Sequence, residues 1–292
     1  MTRVLCLVAM LAASASAAGG SPRGFWAGWP LPKVWLAFVF ASIGLALLVS
    51  GRVSRRVRLV FLGVSFVLWG VVPALSLGEF SRGMVLRPSP VSMVARPFQF
   101  LATGRVIPPV FLGLLLAVVL MSLAGTKLFC GWVCPIGALQ ELVHAVPLRR
   151  GAKRIVPFAV SNSIRIGFFA VFLGVLLLTG RYLYSYVSPF DALKWGFVLP
   201  AAGVLALTLI AALFVFRPFC YFLCPLGLLT WVLEQVALTK VRLGGSCTDC
   251  KRCVRESPCP TVGAILAEKP IRPDCYACGR CMEVCKDSLK WR

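Results

Sequence analysis

The chain has 292 residues, 59% of them hydrophobic, and sets 31 Lys and Arg against 10 Asp and Glu for a net charge of +21. A nucleic-acid binder would gather its bases on polar folded segments. Here they punctuate long apolar runs, as loops between membrane helices do, so nucleic acid is excluded as a partner. Thirteen cysteines in so apolar a chain also exclude a small secreted disulfide scaffold, which is short and polar.

Residues 1–20 carry Arg3, an apolar stretch from Val4 to Ala13 and the small run Ala15-Ser16-Ala17-Ala18. That is the layout of a secretory signal with an Ala-x-Ala cleavage site. The apolar part is short against the roughly 20 residues of a span, and an uncleaved signal anchor, a sixth span, is the alternative. Cys6 reads as a small apolar filler. Five apolar runs follow that are expected to span the bilayer: 35–50, 59–77, 107–124, 164–180 and 197–216. Arg52, Arg55, Arg56 and Arg58 follow the first run, and Arg149, Arg150, Lys153 and Arg154 precede the fourth. The connection 78–106 is rich in proline, and 181–196 is rich in aromatics, with Tyr182, Tyr184, Tyr186 and Trp195, as interfacial belts are. With 51–58 inside, alternation places twelve Lys and Arg in inner loops and eight in outer ones, and puts the C-terminus in the cytoplasm. Cysteines that must stay reduced favour the same side.

One phrase occurs twice. Phe129-Cys130-Gly131-Trp132-Val133-Cys134-Pro135-Ile136-Gly137-Ala138-Leu139 and Phe219-Cys220-Tyr221-Phe222-Leu223-Cys224-Pro225-Leu226-Gly227-Leu228-Leu229 share the pattern Phe-Cys-x3-Cys-Pro-x-Gly-x-Leu. Cysteines at i and i+4 are expected on one helical face, with the proline starting or bending the next turn. Two spans separate the copies, so both emerge on the same side. Cys130, Cys134, Cys220 and Cys224 can therefore meet as a third, four-thiolate iron–sulfur or metal site at the inner face. The bland reading is four inert cysteines at helix ends; two copies in identical context argue against it.

The chain ends on Cys247-x2-Cys250-x2-Cys253-x5-Cys259-Pro260 and Cys275-x2-Cys278-x2-Cys281-x3-Cys285. Four-thiolate zinc sites also use x2 spacing but do not need a third cysteine two residues further on, twice over. In tandem the runs resemble a bacterial two-cluster ferredoxin. That resemblance implies two [4Fe–4S] clusters, one on Cys247, Cys250, Cys253 and Cys285, the other on Cys275, Cys278, Cys281 and Cys259. The sequence departs from the pattern in the five residues before Cys259 and in Lys286 where proline is usual. A lysine beside a cluster should raise its potential.

The run Thr126-Lys127-Leu128-Phe129-Cys130-Gly131-Trp132-Val133-Cys134-Pro135, the later Cys220-x3-Cys224-Pro225 and the tandem tail together resemble the NapH/MauN-type membrane ferredoxins. These are related to the NosR and CcoG membrane iron–sulfur proteins. The resemblance implies a multi-pass protein of the bacterial inner membrane that takes electrons from quinol. It passes them to a partner ferredoxin, cytochrome or reductase subunit of a periplasmic or membrane redox system. The CcoG relationship leaves a second reading open, an assembly factor that reduces a metal ion or cysteines.

The expected architecture is a polytopic α-helical membrane protein, with a transmembrane domain over 34–243 and a small α+β ferredoxin-like domain over 244–292. Quinol oxidation releases protons, which makes a carboxylate beside an apolar slot a candidate acceptor. Asp191 and Glu79 are such candidates on the outer side, Glu141 and Glu234 on the inner, each also readable as a capping residue. His144, the sole histidine, reads as an interfacial residue before it reads as a ligand. Trp132 and Trp231 read as belt anchors.

Overall fold

A computed structural model describes residues 24–75, 78–148, 152–194, 199–244, 247–285 and 288–292. The expectations for 1–20, Cys6, Arg149, Arg150, Trp195 and Lys286 lie outside the described residues.

The chain is mostly helical, and proline opens many of its helices, where its missing N–H costs nothing. It starts α1 (Pro32–Val49). Ser54, whose hydroxyl accepts from the Val57 N–H, caps α2 (Arg55–Phe66), and the run continues through a π turn (Val67–Val71) to Ala74. Next come α3 (Pro90–Ala102), α4 (Pro109–Ala124) and α5 (Pro135–His144). α6 (Phe158–Thr179) ends on Gly180 in the left-handed region at φ 68°, and α7 (Leu199–Phe214) and α8 (Pro225–Gln235) follow.

Among the described residues three helices are long and apolar enough to cross a membrane: Pro32–Val49, Arg55–Ala74 and Phe158–Thr179. The third and fifth expected spans are apolar helices of under 18 residues, Pro109–Ala124 and Pro200–Phe214. Large apolar side chains on these helices face outward; Leu178 is 87% exposed and Leu207 70%. A water-soluble surface does not carry so many, but a lipid-facing one does.

The proline-rich connection is more ordered than its composition suggests. Ser89 caps α3, which packs back against α6 and α8. This places Pro90 against the second cysteine phrase, deep inside the bundle.

The two phrases are related by an internal two-fold arrangement. Gly125, before the first copy, bridges to Thr239, after the second; Arg154, after the first, bridges to Val215, before the second. The tail returns to the bundle as β1 (Val241–Leu243), α9 (Arg252–Glu256), α10 (Thr261–Leu266), α11 (Arg280–Val284) and β2 (Leu289–Trp291). β1 and β2 pair antiparallel, with Val241 opposite Trp291, and so clasp the cysteine block at both ends.

Candidate metal centre

Each phrase folds as a helical turn that breaks at its second cysteine. The first turn is a π helix (Phe129–Val133), the second a short α-helix (Pro218–Phe222), and in both the second cysteine's N–H bonds five residues back, Cys134 to Phe129 and Cys224 to Phe219. Cys134 and Cys224 are extended, and Pro135 and Pro225 begin α5 and α8. The proline starts the next helix, as expected, and it also takes the second cysteine off the shared helical face, because the residue before proline is driven out of the helical region. The break helps the site: the N-termini of α5 and α8 meet the cysteines, where oriented N–H groups favour anionic sulfur. The N–H groups of Gly137 and Gly227 bond to the Cys134 and Cys224 sulfurs.

The glycine of the phrase is required by close approach. A Cβ on Gly137 would lie 2.7 Å from the Cys130 carbonyl oxygen, and one on Gly227 would lie 2.7 Å from that of Cys220. The contacts then cross between copies. Gln140 donates to the Cys220 sulfur at 3.7 Å, and Thr230, at the equivalent place in the second copy, lies 3.9 Å from the Cys130 sulfur.

Cys130, Cys134, Cys220 and Cys224 line one small cavity, closed by apolar side chains that include Ile136, Phe219 and Leu226. Pro90 and Phe190, from the connections 78–106 and 181–196, complete the wall. In the tail, Cys259, Cys275, Cys278 and Cys281 line a second cavity. Cys253 lies hydrogen-bonded beside Cys285 as α9 packs on α11, and Cys247 and Cys250 are more exposed. Among the described residues no three Cys, His, Asp or Glu side chains converge tightly enough for one metal ion, whose sulfur ligands would sit about 2.3 Å from it. Thiols spread round a cavity, with no competing acid or imidazole in the lining, fit an iron–sulfur cube. Burial pushes the Cys259 and Cys281 thiols well above their ordinary range and Cys275 to about 12, so metal must displace protons to bind there.

Tyr276 lines both cavities. It is 1% exposed, and its ring sits 5.0 Å from the Lys127 ammonium and 5.0 Å from the Arg217 guanidinium.

Around this ring lies a cage of buried ions that sequence reasoning missed. Glu141 takes Arg58 and Arg217, and Asp274 takes Lys127 and Arg165. The Arg58, Lys127, Arg165 and Arg217 side chains are 2%, 0%, 0% and 0% exposed. Lys127 and Arg217 each stand three residues before the first cysteine of a phrase, both with positive φ (45° and 50°), and Arg217 donates to the Cys130 carbonyl as Arg165 does to that of Cys220. A base repeated at that offset was the available signal. Burial disfavours a charge on Glu141, but the two guanidiniums outweigh it and hold the carboxyl at about 2.

Of the other candidates, Glu234 is buried and accepts the Cys275 N–H at 3.0 Å on both carboxylate oxygens, while Glu79 pairs with Arg82 at the surface. Asp191 lines a separate polar cavity. The His144 ring bonds to the Ala212 carbonyl at 2.9 Å and is held below its ordinary pKa by burial. Trp132 is an inward residue, not a belt anchor: it is 0% exposed, its indole N–H donates to the Ala277 carbonyl, and Arg58 stacks 4.3 Å from its ring centre. Trp231 likewise donates to the Arg272 carbonyl.

Cysteine cavities set among apolar helices define an iron–sulfur membrane protein of ferredoxin type. The family described as a 4Fe-4S binding domain matches residues 107–155 and 197–243, one region over each phrase. The chain is 31% identical to the ferredoxin-type protein NapH of Escherichia coli over 225 residues, covering 73% of this chain and 78% of NapH. It is 27% identical to the methylamine utilization ferredoxin-type protein MauN of Methylobacillus flagellatus over 217 residues, 72% and 76% of the two chains. Against the protein NirI of Paracoccus denitrificans it is 32% identical over 254 residues, 80% of this chain but 35% of NirI. No solved structure matches. The chain belongs to the NapH/MauN-type family of ferredoxin-type electron-transport proteins.

Proposed function

We propose that this protein draws electrons from membrane quinol and delivers them to a ferredoxin, cytochrome or reductase subunit of a periplasmic or membrane redox system. The observation that carries the reading is the shared wall. One buried aromatic ring, Tyr276, lines both the four-cysteine cavity between the two phrases and the four-cysteine cavity in the tail. Iron–sulfur clusters would supply one-electron carriage there. Cys130, Cys134, Cys220 and Cys224 would hold one. Cys259, Cys275, Cys278 and Cys281 would hold the second, and Cys247, Cys250, Cys253 and Cys285 the third.

The bundle would cross the bacterial inner membrane five times between 34 and 243, with 244–292 as the ferredoxin-like part on the cytoplasmic side. The inner-loop charge excess supports that side less strongly than it first does. Arg58, Lys127 and Arg217 on the inner side and Lys33 on the outer are buried, which reduces twelve against eight to nine against seven. The less buried thiols, Cys247 and Cys250, would lie nearest a partner. A cleft bordered by Arg55, Lys153, Arg154, Arg252, Arg255 and Arg280 offers it a basic surface. Full-length protein in proteoliposomes, reduced by added quinol and followed by cluster absorbance and EPR, tests the reading. Quinol should reduce the centres. Centres that accept electrons from dithionite but never from quinol would overturn it.

A further inference from the structure

A cavity of about 510 Å³ lies beside the four-cysteine site, bordered by Arg87, Arg96, Tyr182, Ser185, Ser188 and Asp191 of the connections 78–106 and 181–196. Its volume falls within the range of small-molecule sites, roughly 300–1,000 Å³. Its chemistry is mixed in an unusual way for the middle of an apolar chain. Two guanidiniums, hydroxyl groups and a carboxyl line it together, and the Arg96 guanidinium sits 5.6 Å from the Tyr182 ring centre. Ser188 is 5% exposed, lines the cavity, and its hydroxyl has no hydrogen-bond partner among the described residues. A buried hydroxyl left in that state implies a ligand or water that completes it.

The partition between this cavity and the cysteines is thin in sequence on two sides. Phe190 lines the cysteine cavity and Asp191, next to it, lines the polar one; Pro90 lines the cysteine cavity between Arg87 and Ser92, which line the polar one. On a third side the Tyr184 hydroxyl, in the polar cavity wall, donates to the Leu223 carbonyl beside Cys224 at 3.1 Å. A membrane-soluble compound that docked here with oxygens at opposite edges of a flat ring would find donors and an acceptor at one wall and a redox centre behind the other.

We propose that this cavity receives the head group of a membrane quinol, with Asp191 accepting a proton from it. The inference rests on the quinol reading above and adds the place and the acceptor. The step balances: the quinol loses two protons and two electrons and becomes quinone. One proton goes to the Asp191 carboxylate, and the other leaves through the cavity mouth to water. The electrons would cross the Phe190–Pro90 partition one at a time to the iron–sulfur centre that Cys130, Cys134, Cys220 and Cys224 would hold.

The test uses full-length protein in detergent and a photoreactive azido-quinone with a short tail. Labelling should fall on residues 87–96 and 182–191 and be outcompeted by unlabelled quinone. Ser185→Trp, a change at an exposed rim position that fills the cavity, should weaken quinone binding about tenfold or more, a difference of about 1.4 kcal/mol. Asp191→Asn should keep iron content and dithionite reduction while slowing quinol-dependent reduction by roughly 100-fold or more. Labelling elsewhere, or full quinol activity in both variants, would overturn the site and leave the quinol reading standing. No quinone binding and no quinol-dependent reduction in the unaltered protein would overturn both. Protection of the cavity by anionic phospholipid but not by quinone would make it a lipid headgroup site and overturn the proposal.

Discussion

Arg217 shows how much of this site rests on single buried charges. Its side chain is wholly buried, it holds Glu141 together with Arg58, and it donates to the Cys130 carbonyl at the cluster cavity. Replacing it with glutamine leaves Glu141 buried with half its compensation, which costs about 3–5 kcal/mol when a buried pair is broken from one side. A drop of that size should appear in thermal unfolding of the detergent-solubilised chain; a change within error would show that the cage does not support the fold. Glu141 itself carries a pH dependence of definite sign. Its carboxyl is held at about 2 in the folded chain against an ordinary value of 4.5. The stability it contributes is therefore fully present above pH 4.5 and is lost as pH falls toward 2. Glu141→Gln should flatten that acid limb, and an unchanged acid limb would contradict the assignment. None of this pairing was legible in the chain. Lys127 and Asp274 lie 147 residues apart, and no local pattern announces that an Arg counted as loop charge will be buried. The cysteines were legible because their spacing is local, and the base at the third position before each copy was visible without a stated role.

At the scale of elements, the repeated phrase is a device for crossing two helix starts. The glycine two residues after each Cys-Pro lets α5 and α8 begin against the carbonyl of the phrase's own first cysteine. Gly137→Ala forces a Cβ to 2.7 Å from that carbonyl and should displace α5 from the cavity. Gly63→Ala is the control: it sits in α2 with nothing within 4 Å of the added carbon, and alanine there should be neutral or slightly stabilising. Iron per chain, compared between the two variants, checks the prediction; equal iron in both would remove the close-approach argument. The apolar runs announced the helices at all five places, because lipid-facing helices are apolar over their whole length. The bend at Cys134 and Cys224 was half legible. Proline in the sequence marked it, but the reading of two cysteines on one helix face ignored what proline does to the residue before it. The helix α3 inside the proline-rich connection was hidden for a related reason: its composition resembles a loop, and its order comes from packing against α6 and α8.

At the scale of the whole molecule, the tail is not a separate bead on the membrane bundle. Asp274 and Tyr276 lie among Lys127, Arg165, Arg217 and Tyr221, and the Trp132 and Arg58 side chains donate to the backbone at Ala277. A chain ending at Leu243 would lose Asp274 and leave Lys127 and Arg165 as buried cations without their carboxylate, an arrangement that proteins avoid. That truncation should aggregate on size exclusion in detergent; a monodisperse, iron-retaining product would show that the two parts fold independently. The sequence divided them because composition changes sharply near residue 244, and composition does not report that a loop returns to fill a cavity.

The central claim is that the four buried thiols of the repeated phrase hold an iron–sulfur centre wired through Tyr276 to those of the tail. Iron analysis and EPR of anaerobically purified full-length protein, compared with a Cys130→Ser/Cys220→Ser double variant, test it most directly. Three [4Fe–4S] centres correspond to about twelve iron atoms per chain. The double variant should lose about a third of them, together with one EPR signal and its magnetic interaction with a tail centre. Unchanged iron and an unchanged spectrum in the double variant would contradict the account.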